Sequence, residues 1–151
     1  MELRLFQKQD AESAKRLILS VLAQEYPFDK SAYSDSDLDK IEQVYSGERN
    51  SFFVVEEGGA IVGTAGVKED SKDAALLRRL FVDASYRRRG FGSGLLKKAM
   101  SFCREKGYKQ MIFNCTGRMT DAMNLCKNSG FKETEEIEMG GFKIHRLSID
   151  L

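Results

Sequence analysis

Apolar residues recur every three or four positions in three stretches of the chain, 11–24, 93–106 and 120–129. This spacing places them on one face of a helix, so each stretch is predicted to be an amphipathic helix that packs on a core. A weaker repeat of the same kind over 37–45 predicts a short fourth helix. Gly107, directly after the stretch at 93–106, is a typical C-terminal stop for that helix.

Seven shorter runs have the apolar character of strands, and two of the junctions between them are double glycines that predict hairpin turns. The runs are 3–6, 52–56, 60–67, 74–82, 110–115, 131–139 and 142–150. The strand–helix–strand order between 74 and 115 implies parallel pairing, whereas the hairpins imply antiparallel pairing. These features predict an α/β protein of the α+β type, with a mixed, mostly antiparallel central sheet of about six or seven strands flanked by about four helices.

Length and composition predict one domain over residues 1–151. Hydrophobic residues make up 42% of the 151, which is enough for a buried core. No apolar run approaches the ~18 residues of a membrane span, and we expect no secretion signal at the N-terminus. Three cysteines without a CxxC pair predict a reducing compartment, the cytoplasm, and not disulfides or a zinc site. With a single histidine we expect no bound metal.

Charge is unevenly distributed along the chain, although the net charge is only +1. Residues 72–110 hold 11 basic and 3 acidic side chains, whereas residues 1–71 hold 8 basic and 14 acidic ones. A local excess of this kind within a nearly neutral protein predicts an anion site and not a general surface for polyanions. Nucleic acid and membrane are therefore not expected partners.

The basic segment contains a glycine-rich turn between the strand at 74–82 and the helix that follows. It reads Tyr86-Arg87-Arg88-Arg89-Gly90-Phe91-Gly92-Ser93-Gly94-Leu95-Leu96. Glycines let backbone N–H groups approach a ligand, and the start of a helix presents unpaired N–H groups at the positive end of its dipole. Arginine adds charge-assisted hydrogen bonds. The turn therefore predicts a phosphate or pyrophosphate site.

Three phosphate-binding patterns compete for this turn. A Walker A loop needs GxxxxGK[ST], but here the glycines are too close together and no Lys-Ser or Lys-Thr follows. A dinucleotide fingerprint needs GxGxxG, but Gly94 comes one position early. The pattern [RQ]-x-x-G-x-[GA] is met by Arg87 through Gly92. This third pattern also accounts for the basic run before the glycines.

On these residues the chain resembles the GNAT superfamily of N-acetyltransferases. The segment 80–83 is similar to the family's hydrophobic strand ahead of the cofactor loop, and 86–96 is similar to its pyrophosphate loop. The segment 122–131, Ala-Met-Asn-Leu-Cys-Lys-Asn-Ser-Gly-Phe, is similar to the family's A-x-x-L-Y-x-K-x-G-F. The resemblance implies a GNAT-like fold, acetyl-CoA as cosubstrate, and direct attack of an amine on the acetyl thioester in a ternary complex.

The resemblance also implies roles for the loop and the neighbouring strand. The amides from Arg88 to Gly92, with Ser93, would hold the pyrophosphate, while backbone groups of Phe81 and Val82 would pair with the pantetheine arm. The Val82 amide would polarise the thioester carbonyl as an oxyanion donor. The expected cofactor-binding residues are Phe81, Val82, Arg87, Arg88, Arg89, Gly90, Phe91, Gly92, Ser93, Gly94, Asn114 and Cys126.

Two residues depart from the family pattern. Cys126 stands where the family often has a tyrosine that acts as general acid near the cofactor sulfur, and Asn128 replaces a lysine. A thiol with a pKa near its ordinary value of ~8.5 could donate a proton to a thiolate. The preferred alternative makes Cys126 a residue of the pocket wall without an acid role. An acylated cysteine has little support, because no histidine is placed to activate it.

The general base has several candidates, because the strand at 76–81 lacks the glutamate that family members often have there. The candidates are Glu25, Tyr26, Tyr33, Asn114 with a water, and His145. His145 is more simply explained as a strand residue beside Arg146. Arg78 and Arg79 occupy the strand instead of a glutamate, and either one pointing into the acceptor groove would favour a substrate with a carboxylate.

The expected function is acetyl transfer from acetyl-CoA to a primary amine of a small molecule or a peptide. The alternative is a non-catalytic acyl-CoA-binding regulatory module, which the missing tyrosine and the missing strand glutamate would explain. The stretches 24–50 and 132–145, where acceptor sites are expected, contain no recognisable motif. The C-terminal strands could pair two chains into a homodimer.

Overall fold

The computed structural model of this chain describes residues 2–27 and 36–151, which form seven strands and four α-helices in the predicted order. The elements are β1 (Glu2–Leu5), α1 (Ala11–Glu25), α2 (Ile41–Val44), β2 (Ser51–Glu57), β3 (Ala60–Glu69), β4 (Ala74–Val82), α3 (Phe91–Glu105), β5 (Gln110–Thr116), α4 (Thr120–Asn128), β6 (Lys132–Met139) and β7 (Phe142–Asp150). Short 3-10 turns precede α1 and α3, at Lys8–Asp10 and Ala84–Tyr86.

The strands form one sheet in the order β1-β2-β3-β4-β5-β7-β6. β4 and β5 run parallel, and all other neighbours run antiparallel. This pair can run parallel because α3 provides the crossover that joins its two strands. The predicted mixed, mostly antiparallel sheet is therefore confirmed, with seven strands among the described residues.

Two helix boundaries differ from the sequence prediction. The helix predicted at 37–45 is reduced to Ile41–Val44, because Asp37 lies in a turn and its side chain is buried. α3 begins at Phe91 instead of Ser93, because Phe91 is buried and the first turn packs on the core. Glycine-rich sequence disfavours helix, but tertiary packing outweighs that preference here.

Helices α1 and α3 cover the centre of the sheet with their predicted apolar faces. α1 packs on β3 and β4 through Ala14, Leu17, Ile18, Val21 and Leu22. α3 packs on β2, β3 and β4 through Leu95, Leu96, Ala99, Met100 and Cys103. Close contact requires a glycine on β3, since a Cβ at Gly63 would lie 3.0 Å from Leu95 Cδ1. None of the described helices is both long and apolar enough to cross a membrane.

A bulge in β4 separates this strand from β5. Thr64 of β3 pairs with Phe81, but Gly66 pairs with Arg78, so two residues of β4 lie opposite one residue of β3. Arg79 has a φ of 55° at this point, and its carbonyl accepts a hydrogen bond from the Thr64 hydroxyl at 2.7 Å. The pairing of β4 with β5 ends just before the bulge, at Leu77. A cleft therefore opens between the two parallel strands.

The bulge is held by a buried ion pair. Arg79 donates from Nε and Nη2 to the Asp37 carboxylate at 3.1 and 2.5 Å, and the Tyr45 hydroxyl donates to the same carboxylate at 2.7 Å. Burial would raise the pKa of Asp37, but the hydrogen bonds from Arg79 and Tyr45 outweigh it and lower the pKa below its ordinary value. The segment before α2 is thereby attached to the strand that forms one side of the cleft.

Candidate active site

A cavity of about 620 Å3 lies at the end of β4 where the cleft opens. Its walls come from five places: the end of α1, the end of β4, the loop before α3, the first turn of α3, and the start of α4. The lining residues are Val21, Tyr26, Leu80, Phe81, Val82, Ala84, Tyr86, Arg87, Arg88, Gly90, Phe91, Gly92, Ser93, Met119, Asp121, Ala122 and Leu125. Eight of the predicted cofactor residues are among them.

The first turn of α3 has open backbone N–H groups. No side chain caps the helix, and its N-cap residue, Gly90, has a left-handed φ of 84°. The Gly94 N–H donates to the Gly90 carbonyl at 2.9 Å, which starts the helical hydrogen bonding. The N–H groups of Phe91, Gly92 and Ser93 precede that donor, and all three residues line the cavity. Unpaired N–H groups at the start of a 15-residue helix are suited to contact an anion.

The backbone of Val82, the last residue of β4, faces the cleft. The Asp83 N–H donates to the Val62 carbonyl of β3 at 2.8 Å. Since consecutive N–H groups along a strand point to opposite edges, the Val82 N–H points away from β3. Its carbonyl also faces the cleft, where it accepts a hydrogen bond from Arg87 Nε at 3.1 Å. This strand edge can pair with an extended ligand.

Arg87 connects α1, β4 and α4 across the cavity. Its Nη1 and Nη2 donate to the two carboxylate oxygens of Glu25 at 2.5 and 2.6 Å, and Asp121 lies 3.6 Å from Nη1. The hydrogen bonds with Glu25 raise the pKa of Arg87. A bidentate pair of this kind fixes the end of α1 against the loop. Arg87 is therefore held by Glu25 and by the Val82 carbonyl. The Glu25 carboxylate balances its positive charge.

The next two arginines of the loop point in different directions. Arg88 has a φ of 64°, in the left-handed region, and lines the cavity. Arg89 does not line it: its guanidinium lies 5.0 Å from the centre of the Tyr86 ring and 3.7 Å from Glu57. Of the three loop arginines, Arg88 is thus the one whose placement offers a cation to a ligand in the cavity.

Two other predicted cofactor residues lie outside the cavity lining. Cys126 is completely buried in the core, and burial raises the pKa of its thiol to about 12. Its helix neighbours Ala122 and Leu125 form the cavity wall instead. A Cβ at Gly94 would lie 3.1 Å from Leu3 Cδ1, so this glycine allows α3 to pack on β1. We therefore leave both residues out of the proposed cofactor site.

The candidates for a general base differ in their position relative to the cavities. Tyr26 lines the cavity, whereas Glu25 is occupied by its ion pair with Arg87. Tyr33 lies outside the described residues. Asn114 lines a second cavity, where its side-chain oxygen accepts a hydrogen bond from Arg146.

His145 lies on β7, away from the lining of both cavities. Its Nδ1 lies 3.2 Å from a Glu133 oxygen and 3.7 Å from a Glu136 oxygen. These three side chains could hold a metal ion, since one ligand atom of each lies within 4.8 Å of the others. Because it lines neither cavity, His145 is not placed to act as a base there.

The second cavity, of about 270 Å3, lies on the other side of the β4 bulge. It shares Leu80, Phe81 and Met119 with the first cavity, so the two meet at the end of β4. Its lining residues are Leu76, Leu77, Arg78, Arg79, Leu80, Phe81, Phe113, Asn114, Met119, Ile137, Met139, Ile144 and Arg146. The lining is apolar except for three arginines and one asparagine.

Several lining residues were not predicted from the sequence. Ala122 and Leu125 had a usable signal, because they are the apolar positions of the segment 122–131 that resembles the family. Val21 has the ordinary pattern of a core residue, and Asp121 that of a helix start. Ile137 and the rest of the C-terminal hairpin reach the second cavity only because β7 pairs with β5. Long-range pairing of this kind leaves no local pattern.

Comparison with known proteins identifies the class to which this fold and cleft belong. The family model described as "Acetyltransferase (GNAT) family" matches residues 16–131. This match covers most of the chain, and the chain therefore belongs to the GNAT acetyltransferase family.

Sequence relatives agree with this assignment. Human N-acetyltransferase 8 is 31% identical over 105 residues, which are 66% of this chain and 46% of that protein. The uncharacterized N-acetyltransferase YjgM of Escherichia coli K12 is 30% identical over 133 residues, 84% of this chain and 79% of that protein. The chain thus corresponds to about half the length of human N-acetyltransferase 8.

Solved structures show the same fold. A GNAT-family acetyltransferase of Staphylococcus aureus Mu50 superposes with a TM-score of 0.86 at 21% identity, covering 99% of this chain and 98% of that one. A GNAT acetyltransferase of Elizabethkingia anophelis with acetyl-CoA bound superposes with a TM-score of 0.60 at 18% identity, covering 74% of this chain and 81% of that one.

Proposed function

We propose that this chain is an acetyl-CoA-dependent N-acetyltransferase that acts on a primary amine. The observation that most supports the proposal is the Val82 N–H, which faces the cleft beside the open first turn of α3. One group can polarise a carbonyl and the other can bind a pyrophosphate, which are the two requirements for using an acyl-CoA.

The residues of the larger cavity fit acetyl-CoA. The N–H groups of Phe91, Gly92 and Ser93, with the Arg88 side chain, would hold the pyrophosphate. The open edge of β4 would pair with the amides of the pantetheine arm, and the apolar wall would contact its carbon chain; this wall includes Val21, Ala122 and Leu125. When bound, acetyl-CoA supplies an acetyl group activated as a thioester.

The chemistry required of the protein is limited to orientation and charge stabilisation. The amine nitrogen bonds to the acetyl carbon and the carbon–sulfur bond breaks, while the amine loses one proton and the CoA thiolate gains one. The Val82 N–H would stabilise the oxyanion that develops on the carbonyl. Tyr26, the base candidate that lines the larger cavity, is the side chain placed to exchange a proton there.

The cytoplasm is the proposed location of this reaction. The chain has three cysteines, and all three are buried and unpaired. Buried free thiols are typical of proteins kept in a reducing compartment.

The test is a transfer assay with the purified full chain. Acetyl-CoA is mixed with amines of different classes, namely amino acids, polyamines and peptides, and both free CoA thiol and the acetylated product are measured. We expect thiol release that depends on one amine class. The N-acetyl product should be about 42 mass units heavier than the amine, because an acetyl group replaces one hydrogen. A folded chain that binds acetyl-CoA but acetylates none of these amines would instead support the non-catalytic acyl-CoA-binding module.

A further inference from the structure

We propose that the second cavity binds the acceptor, and that the acceptor is a free α-amino acid with an apolar side chain. The inference rests on the proposed acetyltransferase function and assigns its substrate class. Three properties of the cavity support it: where the positive charges lie, what surrounds them, and where the cavity meets the oxyanion donor.

The cavity lining has three positive charges and no carboxylate. Arg79 is paired with Asp37. Arg78 is half-buried and makes no hydrogen bond or ion pair among the described residues, although its positive charge also acts on Asp37 and Tyr45. Two arginines therefore share one carboxylate, and a half-buried excess of positive charge is costly unless an anion balances it. This excess favours a ligand with a carboxylate.

Arg78, Asn114 and Arg146 come from three neighbouring strands and line the same cavity. The pairing of β4 with β5 ends at Leu77 and Phe113, and Arg78 and Asn114 are the next residue on each strand. Asn114 in turn pairs with Arg146 of β7. The two arginines therefore lie on strands to either side of β5, and a carboxylate could accept charge-assisted hydrogen bonds from both.

Hydrogen bonding orients Arg146 at the cavity. Its Nε donates to the Asn114 Oδ1 at 3.2 Å, which fixes the plane of the guanidinium. Its Nη1 lies 3.6 Å from a Glu135 oxygen, and that glutamate side chain is 54% exposed. An exposed pair at this distance contributes little free energy, so a substrate carboxylate can replace Glu135.

The remaining surface of the cavity and its volume favour a small acceptor with an apolar side chain. Ile137, Met139 and Ile144 from the C-terminal hairpin and Phe113 from β5 provide an apolar wall. A volume of about 270 Å3 lies just below the ~300–1,000 Å3 typical of small-molecule sites. This volume favours a metabolite over a protein side chain presented on a folded surface.

The wall shared by the two cavities indicates where the amine of such an acceptor would react. The wall shared by the two cavities is formed by Leu80, Phe81 and Met119, next to Val82. An amino acid with its carboxylate between Arg78 and Arg146 would direct its amine toward that wall. The product is an N-acetyl amino acid, which keeps the carboxylate and loses the positive charge of the amine.

The first experiment compares acceptors that differ only in the carboxylate. The full chain and acetyl-CoA are assayed with L-leucine, with L-leucinamide, and with 3-methylbutylamine, which has the same apolar chain and amine but no carboxyl group. We expect kcat/KM for L-leucine to exceed that of both analogues by at least about 10-fold, as for one charged hydrogen bond. Equal or better use of the two analogues would overturn the proposal.

The second experiment removes the charges one at a time. Arg78→Gln and Arg146→Gln are expected to raise the KM for L-leucine by about 10–100-fold while leaving the KM for acetyl-CoA unchanged, and Arg78→Lys should restore part of the affinity. Lys143→Gln is the matched control, because it removes one positive charge from an exposed position on β7. An unchanged KM for L-leucine in both arginine variants would contradict the assignment.

Failure of the proposed function can be distinguished from failure of the carboxylate site. If no amine is acetylated, L-leucine is titrated calorimetrically into protein saturated with CoA, which requires no turnover. Binding that Arg78→Gln abolishes and Lys143→Gln preserves would support the site without catalysis. A folded wild-type chain that binds no L-leucine would overturn the carboxylate site.

Discussion

Two glycines determine what the first turn of α3 can bind. Gly90 adopts a left-handed φ of 84°, which L side chains rarely tolerate, and this conformation ends the loop so that the following N–H groups face the cavity. Gly92 is in an ordinary helical conformation, but a Cβ there would lie 3.1 Å from Leu125 Cδ2 and 3.6 Å from Val82 Cγ2. A larger side chain at Gly92 would therefore enter the space between α3, α4 and β4.

The burial of Cys126 makes a testable prediction about the chemical step. A thiol whose pKa is raised to about 12 stays protonated at neutral pH, and this one lies in the core instead of the cavity lining. We expect Cys126→Ala to leave the single-turnover rate within about twofold and to reduce stability by about 1 kcal/mol. Rapid quench of enzyme premixed with acetyl-CoA measures that rate, and urea unfolding measures stability.

The opposite outcome for Cys126 would be informative. A single-turnover rate reduced by about 10-fold or more, with acetyl-CoA affinity unchanged, would mean that the thiol reaches the reacting sulfur and acts as its acid. Such a result would require α4 to shift so that Cys126 reaches the cavity.

At the scale of elements, the bulge in β4 is the feature on which the cleft depends. The pairing with β5 ends just before it, the Val82 N–H beyond it faces the opening, and the two cavities meet next to it. The bulge depends in turn on the buried pair of Arg79 and Asp37, whose side chains are only 5% and 4% exposed. The geometry of the active site is thus maintained by residues that do not line the larger cavity.

Removing the charge of Asp37 should destabilise the fold strongly. Asp37→Asn leaves Arg79 buried without its counterion, for which the expected loss is about 3–5 kcal/mol. Asp39→Asn, in the same segment but 75% exposed, should cost less than about 0.5 kcal/mol. Urea unfolding followed by circular dichroism gives both values. Similar small losses in the two variants would show that the pair does not hold the bulge.

The pH dependence of this pair has a definite sign. The pKa of Asp37 is lower in the folded than in the unfolded chain, so its stabilisation is complete above the unfolded value of about 4 and is lost as the pH falls through the lower folded value. The stability difference between wild type and Asp37→Asn should therefore shrink below about pH 4. A difference that stays constant down to pH 2 would contradict the lowered pKa.

The sequence predicts these elements well and their irregularities poorly. Periodicity locates the helices and strands because each buries one regular face. The bulge is not predictable, because Arg78 and Arg79 look like an interruption of a strand, and a left-handed arginine has no signature in the sequence. The early start of α3 is equally hidden, since it depends on the packing of Phe91 and not on local preference.

At the scale of the whole molecule, the exposed edges of the sheet limit how two copies could associate. β1 and β6 are the edge strands, and β6 is exposed along nearly all its length. Four of its eight residues are glutamates, Glu133, Glu135, Glu136 and Glu138. Like charges along an edge oppose pairing of two copies there. The homodimer that the C-terminal strands suggested stays a prediction, and this edge is an unfavourable place for it.

The sequence gives more information about the cofactor side of the proposed site than about its acceptor side. The loop before α3 could be proposed as a phosphate site because phosphate binding needs glycines, a helix start and cations close together in sequence. The proposed acceptor side could not, because Arg78, Asn114 and Arg146 come from three strands that only the folded sheet brings to one cavity. Cys126 shows the limit of transferring a role by position, because its side chain is completely buried and its helix neighbours Ala122 and Leu125 line the cavity instead.

The most direct test of the central claim is calorimetric titration of the full chain with acetyl-CoA, using NAD as the control ligand. The proposed site predicts saturable binding of one acetyl-CoA per chain and no binding of NAD. It also predicts that Gly92→Asp loses this binding, because the side chain would enter the cavity between α3, α4 and β4 and its negative charge would lie close to the N–H groups proposed for the pyrophosphate, whereas Gly92→Ala keeps most of it. A folded wild-type chain that binds no acetyl-CoA, or a folded Gly92→Asp variant with unchanged affinity, would contradict the account.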